Sequence, residues 1–547
     1  MMWSSLHFQL VLAMFAGLIS YFSFFIHGER DRLAALVARF SLITSLAIYL
    51  IQWRMFEMPL GQSMQRTLCM AGIYIVVILA SMIQYRVLFS PLRHLPGPRL
   101  AAATKVYHLW NIRRGDNYLF AHRLHKQYGD VVRTGPNEVM LFTKDAFMKI
   151  HGPGSRCTRA VFYDMMLPLV SIVTARDPHV HTRKRKLWAQ ALGVKALNEW
   201  EPHVYAHARE LVDQLRDRMN QSVDLSKWTE YFTFDLMGFV GFNIRFGLLK
   251  KHEHVALDMY SAGHPVLGIF APVPWLYFFA MGLPFAQEGY KMFSRWAETQ
   301  LRDRIETSPD SKDIIGYIIR DAEKNEGINA KWTHILGDFI MLFSAGSDAA
   351  HATLTNALYY IVQFPEHGRQ IRAEVDALKT SEQLPSHQQL QQLPHLNAVI
   401  KETLRLHPPV PCAGLRVTPP EGITVNDTFI PGDTTVLVPH YSLFRRADCF
   451  VNPDEFIPER FSTKPELVLD GSAWQPFGAG EYQCIGKNLG MMEVRVGLSF
   501  LLDAFEFSWA PGENGEHFFE QTKDYFTIVP GQLKLVARPR VQTRGWP

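Results

Sequence analysis

Nineteen consecutive residues, Phe8 to Ile26, carry no charged side chain. That is close to the ~20 residues an α-helix needs to cross a bilayer, and it constrains this chain more than any other single feature. Two further apolar stretches follow, Leu33 to Trp53 and Thr67 to Ile83. The first and third read as transmembrane helices. The second carries Arg39, which must snorkel or face another helix. A cleaved signal peptide is the bland alternative for the first stretch. It fits less well, because no basic region precedes Phe8 and more apolar segments follow. Arg86, Arg93, His94, Arg99 and Lys105 come after the third stretch. The positive-inside rule then places everything beyond residue 85 in the cytosol.

Leu95-Pro96-Gly97-Pro98 cannot continue a helix and reads as a stiff turn between anchor and globular domain. Residues 1–94 are therefore expected to be a membrane anchor with two to three spans, and 95–547 one catalytic domain. Helical patterns dominate that domain, as in Val204 to Met219, Thr333 to Phe364 and Pro394 to Leu406. Strand-like runs flank Val132 and Ile423 and span Thr434 to Val438. The expected fold class is mainly α with small β-sheets. A net charge of +4, spread along the chain, argues against a nucleic-acid partner. The five cysteines, Cys69, Cys157, Cys412, Cys449 and Cys484, show no CxxC pair and do not read as a disulfide framework.

One cysteine stands apart. Phe477-Gly478-Ala479-Gly480-Glu481-Tyr482-Gln483-Cys484-Ile485-Gly486 is a glycine-rich turn around Cys484. A thiolate bound to iron needs its charge tempered, and backbone N–H groups in such a turn can do that. Glycines also let the backbone approach a flat cofactor closely. The bland reading, a buried cysteine beside a helix-starting turn, loses weight against the full spacing.

The segment resembles the haem-binding signature of the cytochrome P-450 family, F-x-x-G-x-R-x-C-x-G. The resemblance implies Cys484 as the iron ligand, with Phe477, Gly478, Tyr482 and Gly486 around the cofactor. Tyr482 replaces the family's propionate-binding arginine, so it offers one hydrogen bond and no charge. Glu402-Thr403-Leu404-Arg405 resembles the family's E-x-x-R motif, and Phe456 to Phe461 its P-E-R-F motif. The resemblance implies a buried ion network of Glu402, Arg405 and Arg460. His181 and Arg185, one helical turn apart, and Arg416 match propionate-binding positions. The alternative for His181 to Lys186 is a solvated basic face, which a redox partner could also use.

Met341 to Ala350 resembles the A-G-x-D-T oxygen-binding motif, with Ala345 and Gly346 leaving room beside the helix and Asp348 as the acid. The expected threonine is Ala349. Protons would then come through Asp348, Ser347 or Thr353, or from the substrate itself. His264 to Pro284, with Phe270, Trp275, Tyr277, Phe278 and Phe279, is either a membrane-touching roof over the substrate channel or a core helix. Val410 to Gly414 and Phe526 to Ile528 match pocket-lining positions and imply a lipophilic substrate.

The resemblance implies a helix-rich domain around haem b and insertion of one oxygen atom from O2 into a lipophilic small molecule. Electrons would come from NADPH through a separate NADPH–cytochrome reductase, with cytochrome b5 as a second donor to consider. The multi-spanning anchor and the Tyr-x-Cys variant look like fungal enzymes of secondary metabolism, held in the endoplasmic reticulum with the catalytic domain facing the cytosol. Ala349 motivates a rival, a haem-thiolate isomerase or dehydratase. Tyr482 and Ala349 together motivate another, a catalytically silent haem-binding protein. A small transporter fails because no apolar span follows residue 85.

Overall fold

The computed structural model describes residues 5–379, 384–412 and 414–540. The apolar N-terminal segment folds into three long helices, α1 (Leu6–Ser20), α2 (Ala34–Arg54) and α3 (Leu60–Gln84). All three are long and apolar enough to cross a membrane, counting the turns that extend α1 to Phe25 and α3 to Phe89. Arg39 faces another helix, as expected, but that helix is not one of the three apolar ones: it is the segment Pro274–Met281, which Gly282 caps. Its guanidinium donates to the Gly282 carbonyl at 2.7 Å, tying α2 to the body of the protein.

The rest is a helical body with small sheets. The strands that matter for the site are β1 (Val131–Gly135), β2 (Glu138–Leu141) and β3 (Thr158–Arg159). Helices α4 (Pro178–Ala191), α5 (Leu225–Phe242), α6 (Val255–Phe270) and α7 (Pro274–Met281) come next. They are followed by α8 (Ile328–Gln363), α9 (Pro365–Leu378) and α10 (Pro394–Leu406). Strands β4 (Arg416–Val417) and β5 (Thr435–Leu437), helix α11 (Lys487–Ala504) and the hairpin β6 (Lys523–Tyr525)–β7 (Thr527–Val529) complete the set.

Local chemistry explains the boundaries. Asp177 caps α4 by accepting the His179 and Val180 N–H groups, and Pro178 supplies a preset first turn. Pro394 does the same for α10, where Glu374 accepts the exposed N–H groups of His395 and Leu396 at 2.8 and 3.0 Å. Helix α8 is buried along most of its length because α5 lies on one side and α11 on another. A buried ion pair pins it to α4, with Lys184 Nζ 2.6 Å from Asp338 Oδ2.

The larger sheet has strand order β1-β2-β5-β4-β3. Strands β2 and β5 run parallel and the other neighbours antiparallel. In the β3–β4 pair, Arg159 lies directly opposite Arg416. Like charges opposite each other in a sheet repel, so this pairing needs an external reason.

Candidate active site

The cysteine loop is built by two glycines. Gly478 and Gly480 have φ of +73° and +63°, a left-handed backbone that a side chain would strain. At Gly480 a Cβ would lie 2.6 Å from the His151 carbonyl oxygen, so the loop also needs the missing side chain for contact. The Cys484 N–H donates to the Phe477 carbonyl at 2.7 Å and closes the turn. Gly486 then caps α11. Burial pushes the Cys484 thiol up, while the Gly486 N–H, Arg185 and then the Lys487 N–H pull it back. Both N–H groups belong to the start of α11, where the helix end favours negative charge. Cys157, Cys412 and Cys449 are buried and Cys69 lies in α3, whereas Cys484 is exposed.

Tyr482 does not act as an isolated hydroxyl. Its ring is flanked by the guanidinium of Arg159 at 4.5 Å, that of Arg416 at 4.4 Å and the imidazole of His181 at 4.4 Å. Arg185 donates to the Gln483 carbonyl at 2.7 Å and fastens α4 to the loop. The cluster's positive charge is carried by the arginines, with His181 neutral beside them. Burial, then Arg159, Arg185 and Arg416, bring His181 down to about 3. Burial likewise lowers Arg159 to about 10. Arg159 and Arg416 are both buried, and the Nε of each has no hydrogen-bond partner among the described residues. His440 is buried too, and it bears on His151, as Arg416 does.

Arg159 escaped the sequence reading. Thr158-Arg159-Ala160 carries no motif, and only pairing with β4 brings this arginine to the site. His181 and Lys184 are buried and Arg183 and Lys186 exposed, so α4 is not uniformly a solvated face.

Opposite the loop's helix, α8 presents Ser344, Ala345 and Gly346. Ala345 is exposed in the middle of a buried helix. Gly346 has a different reason to be small. A Cβ there would lie 2.5 Å from the Met237 methyl, so α5 packs where the side chain would be. Two expected proton carriers point elsewhere. Ser347 Oγ donates to the Thr233 carbonyl at 3.4 Å, and Thr353 Oγ1 to the Ala349 carbonyl at 2.7 Å. Hydroxyls on a helix commonly satisfy the preceding turn or a neighbour in this way.

Asp348 is instead held from two other elements. Its Oδ2 lies 2.5 Å from the Tyr260 hydroxyl on α6 and 3.1 Å from the Thr527 hydroxyl on β7. The same Tyr260 oxygen is 2.7 Å from Ser344 Oγ. His264 Nε2, one turn along α6, lies 3.7 Å from Asp348 Oδ2. Burial first, then the Asp348 charge, push the Tyr260 phenol well above its ordinary value. Tyr260 therefore keeps its proton. Nothing in the residues around 260 announces this role.

Glu402, Arg405 and Arg460 form a fully buried cluster. Arg405 clasps Glu402 with two bonds of 2.8 Å, and Arg460 Nε donates to Glu402 Oε1 at 3.0 Å. Arg405 also donates to the Phe444, Pro453 and Glu455 carbonyls, so the charges are closely satisfied.

The family model described as Cytochrome P450 matches residues 96–536. The chain belongs to the cytochrome P450 family. It is 32% identical over 536 residues to the Tryprostatin B 6-hydroxylase of Aspergillus fumigatus, covering 96% of this chain and 95% of that one. It is 35% identical over 473 residues to Cytochrome P450 monooxygenase sthD of Phaeosphaeria nodorum, covering 85% and 99%. Among solved structures, the cytochrome P450DA heme domain superposes with a TM-score of 0.70 at 18% identity, over 82% of this chain and 98% of that one, a likeness of fold. The protein is thus a haem-thiolate monooxygenase of this family, with haem b as its prosthetic group. The residues fit that group, since two opposed, buried arginines with spare donors call for anions, and haem b carries two carboxylates.

A second space adjoins the site. Its lining includes the apolar Pro272, Leu415 and Phe526 and the charged Lys105, Glu138 and Asp524. Burial pushes Asp524 up to about 7. Ala413 of the expected pocket wall lies outside the described residues; Leu415 and Phe526 join Phe162, Tyr163, Phe270, Tyr277 and Phe278 in one apolar cluster. Residues 264–284 are neither a buried core helix nor a wholly exposed roof. Trp275 and Phe279 are exposed, while Tyr277 and Phe278 pack inward.

Proposed function

We propose that Cys484 would hold the haem iron through its sulfur, and that the guanidiniums of Arg159 and Arg416, with neutral His181 beside them, would receive the propionates. The observation that carries this is the Arg159–Arg416 cross-strand pair around Tyr482. When bound, the haem supplies activation of dioxygen. The chain supplies charge balance, orientation and protons.

Proton movement has a defined route. With Asp348 ionised, Tyr260 donates to it and Ser344 can donate to Tyr260. Protonating Asp348 reverses the chain: Asp348 donates to Tyr260, Tyr260 to Ser344, and Ser344 into the space beside Ala345. Each oxygen gains one proton as it gives up another, so no phenolate forms. This route supports oxygenation despite Ala349. Ala349 itself favours a second reading, an isomerase or dehydratase, which NADPH-independent turnover would reveal.

Residues 1–94 act in this reading as a three-span anchor and 95–547 as the catalytic domain, facing the cytosol from the endoplasmic reticulum. The electron donors are NADPH–cytochrome reductase and cytochrome b5, for which the exposed Arg183 and Lys186 on α4 offer a basic contact. The apolar cluster around Phe526 suits a lipophilic fungal secondary metabolite, and the name of a relative, Tryprostatin B 6-hydroxylase, makes tryprostatin B a first compound to test.

The test is a spectral titration of the ferric protein with a panel of lipophilic metabolites that includes tryprostatin B. A thiolate-type spectrum, lost in Cys484→Ser, together with a low- to high-spin shift for one chemical class is the expected result. A folded wild-type protein that takes up no haem overturns the reading.

A further inference from the structure

Away from the haem site, three metal-ligating side chains converge. His367 stands in the first turn of α9, His395 in the first turn of α10, and Glu459 in the short helical turn Pro458–Phe461. His367 Nδ1 lies 3.1 Å from His395 Nε2 and 3.8 Å from Glu459 Oε1. All three donor atoms lie within 4.8 Å of one another. Both imidazoles are buried, and Glu459 is half-buried, leaving a way in for an ion from solvent.

A simple hydrogen bond accounts for only part of this. His367 Nδ1 carries at most one proton. Given to His395, it leaves the Glu459 carboxylate facing the same atom at 3.8 Å, too far to be a hydrogen bond. One cation at the centre satisfies all three groups together. Zinc bonds histidine nitrogen and carboxylate oxygen at about 2.0–2.2 Å with tetrahedral geometry, which sets ligand atoms about 3.3 Å apart. The observed 3.1 and 3.8 Å bracket that spacing. Two histidines and a glutamate are also a recognised zinc donor set, with water as the fourth ligand.

The scaffold is already set. Glu374 of α9 binds the N-terminal N–H groups of α10, which fixes the two histidines across from each other. Phe456 packs edge-on against His367 with centroids 5.5 Å apart. Arg460, next to Glu459, is held by Glu402. Burial keeps both imidazoles in the neutral form that binds metal.

We infer that His367, His395 and Glu459 form a zinc site that staples α9, α10 and the Pro458–Phe461 turn together, close to the Glu402–Arg405–Arg460 network. The site is independent of the iron and of the assignment of Cys484.

The full-length holoenzyme, stripped with chelator, is titrated with zinc chloride and its metal content measured after gel filtration. One zinc per chain is expected, with a higher melting temperature. Two variants decide whether the zinc sits here, Glu459→Gln at the half-exposed ligand and His367→Gln at a buried one. Each is expected to weaken zinc binding at least tenfold, with the haem absorption spectrum reporting an intact fold. In cobalt-loaded protein, the visible absorption of a low-symmetry site is expected for the wild type and absent from both variants. Failure of the wild type to retain zinc overturns the proposal. So does zinc retention by both variants equal to the wild type, which would place the metal on other histidines.

Discussion

The Tyr260 hydroxyl lies 2.5 Å from Asp348 Oδ2, joining α6 to the acid of α8 where the neighbouring residue is Ala349. The phenol thus links Asp348 to Ser344, one helical turn away on α8. Tyr260→Phe keeps the ring, its packing on Phe343 and its edge contact with His264. Product formation is expected to fall about 100-fold or more. NADPH consumption should continue, with the excess appearing as hydrogen peroxide. Product and peroxide yields in a reconstituted assay check this; unchanged coupling would remove Tyr260 from the proton route.

Tyr482 separates two ways of serving a propionate. If its ring holds Arg159 and Arg416 in place, Tyr482→Phe retains haem like the wild type and Tyr482→Ala loses it. If the hydroxyl matters instead, both variants suffer alike. Haem-to-protein ratio after purification distinguishes these outcomes.

Glu402→Gln leaves Arg405 and Arg460 without their carboxylate in a fully buried setting. Breaking such a pair costs about 3–5 kcal/mol. We expect a large loss of melting temperature or of soluble protein. A denaturation midpoint close to the wild type would mean that the surrounding carbonyls alone satisfy the arginines.

Asp524 gives a pH dependence of definite sign. Burial raises its folded-state value to about 7, from the ordinary 3.8. The folded protein therefore holds this proton more tightly than the unfolded chain, and the stability this confers is lost as pH rises from about 4 to about 7. Asp524→Asn cannot lose that proton. Its stability relative to the wild type should increase across that range by up to a few kcal/mol. Melting temperatures of both proteins at pH 5 and pH 7.5 provide the comparison.

The sequence was most legible where spacing alone carries meaning. Cys484 with its glycines, Glu402 with Arg405, and the apolar N-terminal stretches all announce themselves locally. Helix α10 has the limits its Pro394 start and Leu406-His407-Pro408 end predict. What stayed hidden depends on contacts between distant segments. Arg159 reaches the site only through register with Arg416, and Tyr260 only because α6 crosses α8. Ser347 and Thr353 looked suitable by position, yet helix geometry gives their hydroxyls to nearby carbonyls. Arg39 looked like a flaw in a membrane span because its partner, Gly282, lies more than two hundred residues away.

That contact between Arg39 and Gly282 has a bearing on how turnover is measured. It seats α7 against a lipid-facing helix, and the aromatic cluster reaching from α7 to Phe526 continues from there to the pocket. A lipophilic compound reaching the iron by this path is drawn from the bilayer rather than from water. Its effective supply is then a mole fraction in lipid, so the apparent KM should rise in proportion as more vesicle or detergent is added at constant total substrate.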